Sequence, residues 1–344
     1  MTATKLKFSL SLVAVIALIA AVIGVVAGRA STSSSGGGGG GSGGAIAGKR
    51  VDVIVKATDS QFWQTTFAGA ERAAKDTGVD VSTFGPTSET DVNGQVQLVE
   101  NSISRGVDAV VLAANSTDAL NNVVDRARKA GVKVLNIDSR VTTAVDGFVG
   151  TDNEKAGAQA GQRLCQLAKA NGATSGNVLL ESAVAGVESL TARDKGFRAG
   201  LAASCPQLKV ATTRYNNNDV NTAASQVNDA ITGGNLVGIF ADNNVSGDGA
   251  ARAISDNHAA DRIPVVAFDA DPQEIGGLKT GTIDAIVVQN PFFFGYQGVI
   301  EAASASAGNT QPDALDPGAV LAEKSNMNQP AVNELLHPPT AKGG

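Results

Sequence analysis

From residue 50 to about residue 290, short β-branched apolar runs alternate with longer amphipathic stretches, and this alternation limits the possible folds more than any other feature. A parallel sheet with crossover helices accommodates both periods. The strand candidates are 51–55, 79–84, 108–113, 132–137, 177–181, 209–215, 236–241, 264–268 and 284–288. Helices are predicted to start near Phe62, Thr90, Asp118, Asn153, Ser189, Val220, Val245, Pro272 and Phe292. The second helix shows the pattern: Thr90 is placed to cap it, Val92, Val96, Val99 and Ile103 share one face, and Gly106 stops it. The strands are apolar almost throughout, so helices are expected on both faces of each. Nine strands are too many for one open sheet in a chain of 344 residues, so two doubly wound α/β lobes are expected, the first break falling within 138–152.

Ahead of this body, Lys5 and Lys7 precede an uncharged apolar run over residues 8–27, followed by Gly28 and Ala30 around Arg29. These fit an export segment. A run of about 20 residues is also long enough to span a bilayer, so a cleaved signal and a retained anchor both remain open over 1–30. A lipid-anchored form would need a cysteine just after the run, and the only cysteines are Cys165 and Cys205. Residues 31–48 are dominated by the tract STSSSGGGGGGSGG, the composition of a flexible tether. This tract lacks the strand, helix and Lys-Ser/Thr context of a phosphate-binding loop. In an exported chain two cysteines can form one disulfide, and Cys165 and Cys205 fall on successive predicted helices; two buried free thiols are the other reading.

The formal net charge is −6, with 27 basic against 33 acidic residues and three of the basic ones in the first 30 positions. No basic stripe exists to neutralise phosphates, so nucleic acid is not an expected partner.

In open parallel sheets ligands bind beyond the carboxyl ends of the strands. The residues just after the predicted strands include Lys56, Ser60, Phe62, Trp63, Asn115, Asp138, Ser139, Arg193, Asn218, Asn243, Asp269 and Gln289. Acceptor-only carboxylates, donor-only cations and amides suit hydroxyls that both donate and accept, and aromatic faces suit the C–H faces of a sugar ring. A small polyhydroxylated ligand is the expectation. With only His258 and His337 in the chain, neither a Ser/His/Asp arrangement nor a His-rich metal site is readable, and no cofactor is expected. The pair Asp138 and Asp269, read as glycoside-hydrolase carboxylates, is the one enzymatic alternative.

At these positions the chain resembles the ribose-binding-like family of periplasmic sugar-binding proteins, over essentially residues 50–330. The motifs are KATDSQFW with Phe62 and Trp63 as a stacking pair, Asp138 in NIDSR, Arg193 in TARDKGF, Asn243 in FADNN, Asp269 in AFDAD and Gln289 in VVQNPFFFGYQGV. Ser139 stands where ribose binders carry an arginine, Lys56 where a small hydroxyl residue is usual, Ser60 where an asparagine is, and Asn217 or Asn218 where an aromatic is expected. A ligand other than ribose is implied.

The resemblance further implies type I lobes joined by a hinge, lobe one over 49–151 plus 290–318 and lobe two over 152–289 plus 319–335, with a disordered tail over 336–344. It implies crossovers near 150–152, 289–290 and 317–320, with hinge closure on the ligand. A monomeric, non-enzymatic binding component of an ABC-type importer, working with a permease at the outer face of the cytoplasmic membrane, is the expected function. A membrane-tethered sensor that hands its closed form to a receptor kinase or chemoreceptor is the alternative.

Overall fold

The structure, a computed structural model, describes residues 45–341. The export or anchor segment, and nearly all of the tether, lie outside the described residues. The folded body begins earlier than the tether boundary at 48. Ile46 packs on the first core, and the Gly48 N–H donates to the Gly78 carbonyl at 2.8 Å.

Two sheets form, as the count of strands required. The first has the order β2-β1-β3-β4-β5 and is parallel throughout: β1 (Arg50–Ile54), β2 (Asp80–Phe84), β3 (Ala109–Leu112), β4 (Lys133–Ile137) and β5 (Phe148–Val149). The second has the order β11-β10-β9-β8-β6-β7: β6 (Gly176–Ser182), β7 (Leu208–Tyr215), β8 (Leu236–Ala241), β9 (Val265–Phe268), β10 (Ala285–Val288) and β11 (Val320–Glu323). Only β11 runs antiparallel. The order reverses between β1 and β3 in one sheet and between β6 and β8 in the other, the positions where parallel sheets open a crevice at their carboxyl edge.

The helices are α1 (Gln61–Thr77), α2 (Val92–Arg105), α3 (Asn121–Lys129), α4 (Asn153–Ala170), α5 (Glu188–Ser204), α6 (Val220–Thr232), α7 (Asn244–Asp256), α8 (Pro272–Thr280), α9 (Pro291–Ser306) and α10 (Pro330–Leu336). Alternate residues of the central strands enter opposite cores: Val51, Val53 and Val111 go to one side of the first sheet, and Ile54, Val110 and Leu112 to the other. The chain passes between lobes after β5, after β10, and between Leu315, which bridges Val149, and β11. Thus α9 returns to pack on α1 and the first sheet.

Several expectations need correction. The edge strands β2 and β7 are only partly covered, β2 having no buried residue and β7 one, rather than covered on both faces. Asp91, not Thr90, caps α2, its Oδ1 accepting the Gly94 N–H at 2.8 Å, while Thr90 turns to Ser88. A carboxylate is favoured there because it meets the positive end of the helix dipole. The tail is ordered to residue 341: Leu336 is buried in the second lobe's core, and the Ala341 N–H donates to the Gln64 carbonyl at 3.2 Å.

Two close helix contacts depend on glycine. A Cβ on Gly157 of α4 would lie 2.1 Å from the Arg193 carbonyl oxygen, and one on Gly196 of α5 would lie 2.0 Å from that of Glu154. The α4 and α5 backbones therefore nearly touch. Cys165 and Cys205 are joined in a disulfide at the far end of the same pair, with their Cα atoms 5.7 Å apart.

Candidate functional site

The carboxyl ends of both sheets face a single narrow cleft, lined from the first lobe by Lys56, Ser60, Phe62, Trp63, Glu89 and Asp138, and from the second by Ser189, Leu190, Arg193, Asn243, Asn244, Asp269 and Gln289. Most of the lining is polar. That is the wall a ligand rich in hydroxyls requires and an apolar ligand would not.

Asp138 follows β4 and Asp269 follows β9, at matching places in the two lobes, and both have left-handed backbones, φ 58° and 85°. Side chains other than glycine rarely adopt this region, and such strain concentrates where a group must be aimed. Asp138 opens the loop from β4 to β5 and Asp269 the turn from β9 to α8, and both carboxylates line the cleft. Asp138 pairs with Lys56 Nζ at 2.7 Å, each about 4% exposed. A buried ammonium without such a partner would be strongly penalised. Asp269 accepts from the Gln289 amide. Burial raises the Asp269 carboxyl pKa, Arg193 and Gln289 oppose the shift, and Asp138 adds to it.

Arg193 is 2% exposed and is held on every side. Its guanidinium lies 3.4 Å over the Phe268 ring. Asn153 Oδ1 accepts from Nε at 3.2 Å and from Nη2 at 2.9 Å, and the Asp242 carbonyl accepts from Nη1. A guanidinium has five N–H donors, so two remain for a ligand, one on each terminal nitrogen. The glycine contact between α4 and α5 makes this arrangement possible by bringing Asn153, at the start of α4, against the Arg193 side chain.

Beneath Arg193 lies a buried polar layer. Asp242 accepts from the Ser182 hydroxyl and from the Ala183 N–H, and Glu181 accepts from Asn216 at 3.1 Å. Burial pushes Glu181 up to about 8, against the pull of its Asn216 hydrogen bond and with a further push from Asp242. Burial raises both Asp194 and Asp242; the Asp242 charge adds to the rise at Asp194, and the Asp269 charge to that at Asp242.

Phe62 and Trp63 meet edge to face with ring centroids 4.7 Å apart, and Trp63 is almost fully buried. Ser60 caps α1, and Asn243 caps α7 through Oδ1 while its Nδ2 donates to Asn218 Oδ1 at 2.9 Å. Three of the predicted positions do not reach the cleft wall. Asn115 lies beneath it, donating to the Asp91 carbonyl; Ser139 turns to Ser189 at 2.7 Å; Asn218 supports Asn243 from behind. Each side chain is engaged with a neighbouring residue instead of the cleft.

As site residues the sequence reading named neither Ser189, Leu190 and Asn244, which line the second lobe's wall, nor Glu89. Glu89 follows β2, and the rule of strand carboxyl ends finds it once β2 is included. Glu89 Oε1 accepts the Trp63 indole N–H at 2.8 Å. Burial raises its carboxyl pKa, Lys56 and the indole hydrogen bond lower it, and Asp138 and Asp269 raise it again.

The lobes also meet at the cleft rim. Lys56 Nζ and the Ser139 hydroxyl both reach Ser189, at 3.1 and 2.7 Å. The Thr117 N–H and hydroxyl both donate to the Gly186 carbonyl at 2.9 Å, and the Arg140 N–H donates to the Glu188 carboxylate at 3.2 Å. The lobes are thus joined around the cleft by short polar contacts. Among the described residues no helix is long and apolar enough to cross a membrane.

The comparisons agree with this architecture. The family model described as "Periplasmic binding protein domain" matches residues 51–310. A carbohydrate transporter solute-binding protein from Agrobacterium radiobacter, solved with D-arabinose, superposes with a TM-score of 0.82 at 35% identity, covering 85% of this chain and 99% of that one. An ABC transporter solute-binding protein from Agrobacterium vitis, solved with D-fucose, gives 0.79 at 30% identity over 84% and 100%. The D-allose-binding periplasmic protein of Escherichia coli is 28% identical over 269 residues, 74% of this chain and 84% of its own. The family match covers well over half of the chain and every strand but β11, so the chain belongs to the periplasmic binding protein family.

Proposed function

We propose that this protein is the exported binding component of an ABC-type sugar importer and that it closes its lobes on one monosaccharide or related polyol. The observation that carries the reading is the convergence of complementary groups from separate lobes on one cleft, Lys56 and Asp138 facing Arg193 and Asp269. Ionised carboxylates accept only and the cations donate only, so a hydroxyl-bearing ligand satisfies both walls at once, each wall carrying one group of each kind. Closure by rotation about the three crossing segments then couples binding to a shape that a membrane permease can read. The sugars bound by the relatives support the ligand class. The protein binds and delivers; it is not an enzyme.

The site residues proposed are those that line the cleft, with Ser139, Asn115 and Asn218 as supports. Phe62 and Trp63 supply the apolar faces that cover a ring. Export follows from the family, and residues 1–30 are assigned to it. The test is a thermal-shift screen of pentoses, hexoses and polyols, since a ligand that binds only the folded state raises the melting temperature. The reading expects at least one to shift the transition by several degrees at millimolar concentration; a flat response across the panel contradicts it.

A further inference from the structure

Glu89 gives the cleft an excess of negative groups. Five charged side chains line it, the cations Lys56 and Arg193 and the carboxylates of Glu89, Asp138 and Asp269. Lys56 is already committed to Asp138 at 2.7 Å. Arg193 is held by the Asn153 and Asp242 oxygens and shares the second lobe's wall with Asp269. A ligand carboxylate that took the two free Arg193 N–H groups would sit on a wall shared with Asp269, and the cleft would then hold four carboxylates against two cations. Bringing like charges together in a water-poor site is strongly unfavourable, whereas a hydroxyl can donate to each of these oxygens.

The geometry of Glu89 is that of a fixed group. Oε1 is tied to the Trp63 indole at 2.8 Å, and Trp63 is locked edge-on against Phe62. The carboxyl is therefore oriented before a ligand arrives, which lowers the entropy lost on contact.

We propose that Glu89 is a specificity-determining residue that takes a ligand hydroxyl and confines the site to uncharged sugars and polyols, excluding sugar acids. This rests on the sugar-binding reading and narrows it.

The experiment titrates the wild-type protein and Glu89→Gln with the best neutral sugar from the thermal-shift panel and with its aldonic and uronic acid counterparts. Trp63 is the only tryptophan in the chain and lies in the site, so its emission reports binding directly. The wild type is expected to bind the neutral sugar at least a hundredfold more tightly than either acid. Glu89→Gln, which keeps the indole contact through its amide oxygen and turns an N–H toward the ligand, is expected to lose roughly tenfold to a hundredfold on the neutral sugar and to narrow the neutral-to-acid ratio at least tenfold. A structural role alone would weaken both ligands together and leave that ratio unchanged.

A ratio that stays within threefold overturns the assignment, as does a wild type whose tightest ligand is a sugar acid; in either case the sugar-binding reading stands. A wild type that responds to no sugar, neutral or acidic, overturns both. Should Glu89→Gln fail to fold, Glu89→Ala takes its place and is held to the same threefold limit on the ratio.

Discussion

Arg193 and Asp269 are the residues proposed to carry most of the ligand contact, because each supplies what the other lacks. Arg193 is fixed by Asn153, the Asp242 carbonyl and the Phe268 ring, and Asp269 by Gln289 and its left-handed backbone, so both are oriented in advance. Truncating one partner of a buried charge-assisted contact costs about 2–5 kcal/mol, or roughly thirtyfold to several-thousandfold in affinity. Arg193→Ala and Asp269→Ala are each expected to lose that much by calorimetry while remaining folded. Arg193→Lys should not rescue, since three donors on one nitrogen cannot reproduce a planar fork spread over three nitrogens. Losses within threefold of wild type would remove both residues from the site. The sequence pointed to these two through their recurrence after strands. It could not show that Ser139 and Asn218 turn away from the cleft, because a polar residue after a strand serves a turn, a cap or a ligand equally well, and only the third dimension distinguishes them.

The α4 and α5 pair holds the second lobe's wall in place. Gly157 and Gly196 let the two backbones approach until Asn153 meets Arg193, and the Cys165–Cys205 bridge closes the other end of the pair. Gly157→Ala gains about 1 kcal/mol of helix propensity but forces the helices apart, and overpacking of this kind costs about 1–3 kcal/mol. The expected outcome is a lower urea midpoint together with weaker ligand binding. An unchanged midpoint and affinity would mean that the contact positions nothing. At this scale the sequence was legible where the period is long: the nine strands and nine helices expected between residues 50 and 306 all form. It was not legible at β5, β11 and α10. β5 has two residues, β11 is an antiparallel edge strand of four residues, and α10 has seven, so none repeats a pattern often enough to be seen. The glycines carried no readable signal either, because their role is set by a helix 40 residues away.

Across the whole molecule, buried acids give stability a pH dependence. Burial pushes Glu181 and Asp248 up to about 8, the latter helped by Asp271. Glu274, fully buried with neither carboxyl oxygen hydrogen-bonded by protein, is raised well above its ordinary value by burial and by Asp271, Asp269 and Asp248. Their unfolded values lie near 4, so the folded state holds more protons between about pH 4 and 8, and the stability they supply is lost as pH rises through that window. The melting temperature is therefore expected to be higher at pH 5 than at pH 8. Glu274→Gln should raise it at pH 8 and leave it nearly unchanged at pH 5; a transition independent of pH would show these carboxyls to be solvated. The central claim is that two lobes close on one uncharged sugar between Arg193 and Asp269 on one side and Lys56 and Asp138 on the other. Crystallising the protein with the sugar that gives the largest thermal shift tests it most directly. The account predicts one sugar in the interlobe cleft, with hydroxyls within hydrogen-bond distance of Arg193, Asp269 and at least one first-lobe group; a sugar bound elsewhere, or touching one lobe only, would contradict it.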